Sequence, residues 1–181
     1  MLDFSGVKAI AIPEGDVVKI ELGGTILWKR EPVNLVPTSI DTNGSVYQGA
    51  GYISGYRLSS SGGLSSQHNT FTTGFIPFKA GGIVRMAGVS WTQNVGYCYQ
   101  AFYDSSFTLL GSHSIGAGTF EGAAKYQRGN VSGATRITIE NGVTTFVPAF
   151  SSNADKVAYF RLNGYGSGAD MFVTINEEID V

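Results

Sequence analysis

Apolar and polar residues alternate with a period of two along much of this chain, and no window carries the 3.6-residue period of an amphipathic helix. Near the N-terminus, Val17, Lys19 and Glu21 alternate with Val18, Ile20 and Leu22. The Pro13-Glu14-Gly15 turn precedes this strand and Gly23-Gly24 follows it, so Val7–Ile12, the alternating run and Thr25–Lys29 read as a three-stranded meander. Three short strands bury too little to stand alone. The charged, Pro-containing Lys29-Arg30-Glu31-Pro32 marks a boundary, dividing the chain into a module at 1–30 and a larger domain at 34–181.

The larger domain reads as about nine short strands. Gly49–Tyr56 is a glycine–tyrosine strand or loop, and Ser59–Gln67 is a polar loop. Thr70–Phe78 and Ile83–Val89 are strands around Lys79–Gly82, with Phe75, Ile76, Phe78, Ile83, Val84 and Met86 as core candidates. Val95–Asp104 and Phe107–Ser112 form a hairpin around Ser105-Ser106. Gly116–Ser132 is the longest expected loop, with room for one helical turn at Glu121–Tyr126. Thr135–Glu140 and Val143–Val147 flank Asn141-Gly142, the strongest short hairpin signal in the chain. Val157–Leu162 and Met171–Asn176 close the domain, and the segments near Asn34 and Met171 are expected to pair. Strands at this spacing predict an all-β fold, a jelly-roll-type β-sandwich with the small N-terminal β-meander attached; an up-and-down barrel is the alternative.

Composition narrows the partners. At 181 residues with 43% apolar content, the chain can bury a core without a disulfide or metal staple. Charged residues make up only 14%, against about 25% in an average soluble domain. The 25 glycines are about twice the usual share, as a turn-rich β-protein requires. A net charge of -2 offers no basic footprint for nucleic acid. No apolar run reaches the ~18 residues that would suggest a membrane span. The opening MLDFSGVKAIAIPEG lacks a basic segment followed by a long apolar one, so no signal peptide is expected and synthesis would be cytoplasmic. Lone Cys98 reads as a buried strand residue.

Catalytic signatures are missing from the sequence: no nucleophile elbow, no His-Glu-x-x-His, no P-loop and no dinucleotide fingerprint. His68 and His113 both sit in polar sequence and read as surface residues. Glycoside hydrolysis needs two facing carboxylates, and no spacing among Asp104, Glu121, Glu140, Asp155 and Asp170 singles out a pair. No enzyme activity is expected. Asp41-Thr42-Asn43-Gly44 resembles the start of a calcium loop, but Tyr52 stands where such a loop needs glutamate. A structural Ca²⁺ held by Asp41 and Asp170 is the remaining metal reading, against an ordinary Asx-turn.

Sugar recognition sets flat aromatic faces beside amide and carboxylate groups. The segment SWTQNVGYCYQ supplies Trp91, Gln93, Asn94, Tyr97 and Tyr99 in that style. Tyr97, Tyr99 and Tyr103 share one strand face while Phe102 takes the other, so one face is expected in the core and the other on a glycan or a neighbouring subunit.

Several segments resemble tail structural proteins of phages and prophages of Gram-positive bacteria. GVKAIAIPEGDVVKIELGGTILWK is similar to a short module of such proteins. NLVPTSIDTNGSVYQGAGYISGYRLSSSGG, TTGFIPFKAGGIVRM and AFYDSSFTLLG resemble the body of their fibre, baseplate or receptor-binding components, and GSGADMFVTINEEI their C-terminal strand. Together these cover most of the chain. Gly82 departs from the pattern TGFIPxKxGDxIR, in which aspartate is expected at that position. The resemblance implies a component of a virion tail or phage-tail-like particle with a carbohydrate-binding-module-like jelly roll. It also implies a homo-oligomer, commonly a trimer, that contacts other tail proteins and a host cell-surface glycan. A purely structural tail or baseplate piece, and a cell-surface polysaccharide depolymerase, are the competing readings.

Overall fold

The computed structural model describes residues 19–22, 25–29, 31–36, 51–59, 61–88, 99–114, 125–166 and 168–179. The chain divides into two compact units, Met1–Val33 and Asn34–Val181. In the first, β1 (Lys19–Leu22) and β2 (Thr25–Lys29) form an antiparallel pair that matches Ile20 with Trp28. The expected strand Val7–Ile12 lies outside the described residues.

The second unit is all-β. Its strands are β3 (Tyr52–Leu58), β4 (Leu64–Thr73), β5 (Ile76–Pro77), β6 (Val84–Ala87), β7 (Tyr99–Tyr103), β8 (Leu109–Ser114) and β9 (Lys125–Gly129). They continue with β10 (Val131–Glu140), β11 (Val143–Phe150), β12 (Tyr159–Tyr165) and β13 (Phe172–Ile175), with a 3₁₀ turn at Ala154–Lys156. One antiparallel sheet runs β10-β11-β6-β13; the other runs β3-β4-β12-β7-β8-β9, with β5 also paired to β12. Among the described residues no helix is long and apolar enough to cross a membrane.

Alternation along the strands builds the core between the sheets. Phe102, Phe160 and Leu162 point inward from the larger sheet; Val84, Met86, Phe146 and Val173 meet them from the smaller one, each no more than 1% exposed. Of the six core residues expected around Lys79–Gly82, Phe75, Ile76, Phe78, Val84 and Met86 are buried and Ile83 is partly so. Asn141 and Gly142 take φ of 50° and 78°, the left-handed pair that a tight hairpin between β10 and β11 demands. Gly129 (φ 65°) and Asn130 carry the chain directly from the edge of one sheet to the edge of the other, and the Asn130 amide donates to the Leu110 carbonyl. The segment at Asn34 does meet the last strand. Asn34 Nδ2 donates to the Met171 carbonyl, its Oδ1 accepts from the Val173 amide, and the Leu35 amide donates to the Val173 carbonyl.

Two expectations need correction. Ser59–Gln67 is not a free loop: β4 begins at Leu64, and Leu58 and Leu64 turn into a second apolar cluster. That cluster, with Phe75, Ala101, Tyr103, Phe107, Leu109 and Tyr159, lies on the outer face of the larger sheet. The β3–β4 hairpin reaches it by bending. Gly55 (φ 80°) stands alone between residues paired with Phe71 and Ser66, so four residues of β4 bulge opposite one of β3. Asn69 (φ 57°) lies in that bulge. The outward face of β7 is therefore covered at Ala101 and Tyr103 by the chain's own hairpin. The second correction falls in Gly116–Ser132, where Lys125–Gly129 and the start of β10 are strand; 115–124 lies outside the described residues.

Candidate functional site

Of the residues expected to hold a sugar, Trp91, Gln93, Asn94 and Tyr97 lie outside the described residues, and Tyr99 opens β7 with its backbone opposite Ser114. Their segment leaves β6 at Gly88 and returns at Tyr99, so it joins the two sheets. Asp41 also lies outside the described residues, and Asp170 is exposed in the turn before β13. Among the described residues no cluster of three or more His, Cys, Asp or Glu gathers.

Among the described residues, hollows open at two places on the sandwich. The first, of about 340 Å³, lies on the outer face of the smaller sheet. Strand alternation puts Val84 and Met86 in the core, so Arg85 between them faces outward; Thr145 does the same between Thr144 and Phe146. Thr138, Glu140 and Asn141 add the edge of β10 and its turn, and Glu178 forms the opposite rim. The C-terminal tail is fastened there. Arg85 Nη1 donates to the Glu177 carbonyl at 3.1 Å and Thr174 Oγ1 donates to the same oxygen at 2.7 Å. Arg85 Nη2 pairs with Glu178 Oε1 at 3.3 Å, but Glu178 is 75% exposed and water screens the pair. The hollow thus combines a guanidinium, two carboxylates, two hydroxyls and a carboxamide within a ligand-sized space. Glu140 and Glu178 share it, a juxtaposition invisible in their spacing along the chain.

The second hollow, of about 610 Å³, opens at one end of the sandwich and is mostly apolar. Phe78, Val157 and Ile175 line it, with Lys79 and Asn176 also on its wall; Lys79 and Asp155 line an adjoining recess. Gly82 belongs to its wall for a steric reason. A Cβ there would come within 2.9 Å of Phe78 Cε2 and 3.1 Å of the Lys79 carbonyl. Any side chain at 82, the aspartate of the phage-tail pattern included, requires Phe78 to shift.

Two buried ionisable side chains escaped sequence reasoning. His113, expected at the surface, is fully buried on β8 between Phe102 and Phe146, with ring centroids 5.4 and 5.7 Å away. Burial lowers its pKa to about 3, so it stays neutral. Arg161 is 1% exposed on the outer face of β12, beneath the β3–β4 hairpin. Its Nε donates to the Thr73 carbonyl at 2.9 Å, and its guanidinium lies 4.5 Å from the Phe75 ring centroid. Burial pulls its pKa below the ordinary arginine value. Burial also pushes the Tyr103 phenol up to about 12, and that hydroxyl donates to the Gly62 carbonyl at 2.7 Å. No local pattern marks Arg161, since a charged residue in an alternating strand ordinarily faces water.

No family model, no curated protein and no solved structure matches the chain.

Proposed function

We propose that this chain is a component of a phage tail or phage-tail-like particle whose 34–181 unit grips a host cell-surface carbohydrate. The observation that carries the binding half is the hollow at Arg85. A sugar presents many hydroxyls that both donate and accept, and this hollow answers with Arg85 and Asn141 as donors, Glu140 and Glu178 as acceptors, and the Thr138 and Thr145 hydroxyls as either. The strand order supports a jelly-roll reading of the sandwich. The chain crosses between the sheets after β5, β6, β9, β11 and β12, and β12 inserts between β4 and β7, which precede it by many residues. Trp91, Gln93, Asn94, Tyr97 and Tyr99 would add a stacking surface on the segment that β6, the strand of Arg85, leads into. The particle assignment rests on the resemblance of the sequence segments to tail proteins. Residues 1–30 then serve attachment or trimerisation, in a homotrimer.

A glycan array and a cell-wall pull-down test the binding half. Wild type should retain a wall polysaccharide, and Arg85→Ala and Trp91→Ala should each weaken retention by about tenfold, the loss of one good polar or stacking contact. No retention by the wild-type protein would leave the purely structural tail role. Release of reducing sugar from walls would instead favour the depolymerase, with Glu140 and Glu178 as its carboxylates.

A further inference from the structure

We infer that the β3–β4 hairpin is a hinged strap over a second binding site, centred on Arg161, that accepts an oxyanion carried on a sugar ring, as in a uronate or a sugar phosphate. This site lies on the larger sheet and does not rest on the hollow at Arg85. A guanidinium removed from water is ordinarily matched by a carboxylate or phosphate. Arg161 is 1% exposed, yet the group acting on its charge is the phenol of Tyr103, and no carboxylate among the described residues does so. Its Nε is satisfied by the Thr73 carbonyl, but its buried Nη2 finds no protein partner. One arm of a bidentate fork is thus made and another is left open.

The surroundings suit a ring. Phe107 and Tyr159 stack at 4.8 Å and 22°, and Phe75 meets Phe107 edge-on at 4.7 Å. These aromatics lie in the same outer-face cluster that the strap covers. The cover is pinned at its tip and bends at its base. Its tip is held by the Tyr103 hydroxyl on the Gly62 carbonyl and by Leu58 and Leu64, and its base carries the left-handed Gly55 and Asn69 beside the four-residue bulge. A Cβ at Gly55 would meet nothing within 4 Å, so the base is unpacked on that side. Lifting the tip releases Tyr103 Oη from Gly62 and leaves it, with Nη2, to donate to an incoming oxyanion.

Full-length protein labelled with ¹⁵N is titrated with glucuronate, glucose 6-phosphate and neutral glucose, following the Arg161 Nε–H signal and amide exchange at 61–66. One or both acids should shift that signal and speed exchange in the strap, and which acid does so identifies the source of the oxyanion. Leu64→Ala, which loosens the strap without touching the cation, should bind about tenfold more tightly, because a larger fraction of the protein is already open. Arg161→Met should lose binding, and Arg161→Lys, which keeps the charge without the fork, should weaken it by about tenfold. No shift with either acid in folded Leu64→Ala protein, an equal shift with glucose, or undiminished binding by Arg161→Met or Arg161→Lys would overturn the inference.

Discussion

Protonating His113 should destabilise this protein from the inside. The imidazole is 0% exposed, packed edge-on to Phe102 and Phe146 where the two sheets meet. Its folded pKa of about 3 lies below the 6.5 of an exposed histidine, and burial is the cause. The proton therefore prefers the unfolded chain. Stability from this group is fully present above the unfolded value and is lost as pH falls from 6.5 towards about 3. The slope in that window is about 1.4 kcal/mol per pH unit, so moving from about pH 7 to about pH 4.5 should remove about 3 kcal/mol. Against a total stability of about 5–15 kcal/mol, that loss is readily measured. Urea unfolding of wild type and His113→Gln at both pH values isolates it. The variant starts less stable, but its loss on acidification should be about 3 kcal/mol smaller than that of wild type. Equal losses in the two proteins, or a folded-state His113 ring that titrates near 6.5 by NMR, would refute the reasoning.

Other sites give sharper structural tests. Asn34→Ala removes the side-chain partners of the Met171 carbonyl and of the Val36 and Val173 amides, and should cost about 2–3 kcal/mol in denaturant unfolding. Gly88 combines a φ of 68° with a position where a Cβ would overlap the Asp170 carbonyl. Gly88→Ala should therefore lower stability by about 2–4 kcal/mol in the same measurement, whereas Gly142→Ala, whose Cβ would meet nothing within 4 Å, should cost less.

Much of the sandwich was legible because its determinants are local. Asn141-Gly142 fixes a two-residue turn, and the alternation of Thr135–Glu140 and Val143–Val147 fixes which faces pair. Ser105-Ser106 similarly marked the β7–β8 turn, where Asp104 Oδ1 accepts from the amides of Ser106 and Thr108. The strap was not legible. SSSGG is turn chemistry and Ser59–Gln67 reads as a polar loop, and nothing within it says that Leu64 starts a strand or that the tip folds onto the outer face of its own sheet. The nearest hint was β7 itself, apolar on both faces at Ala101, Phe102 and Tyr103, which demands two covers. His113 and Arg161 escaped for one reason: each sits at an alternating strand position whose burial depends on what a distant segment places over it. The hollow at Arg85 depends on contacts more than 90 residues apart, from Arg85 to Glu177 and Glu178, and no motif encodes them.

The clasp at Asn34 also has a mechanical meaning. Tension that enters the sandwich from its N-terminal side reaches Asn34 first, and there two hydrogen bonds of one asparagine side chain, to Met171 and Val173, and the Leu35 amide hold the chain against the β13 segment. These bonds must break before any load passes to the strand pairs of the smaller sheet, where β13 is the edge strand beside β6. Under pulling, this clasp, with Val36 buried behind it, is therefore the first contact to yield.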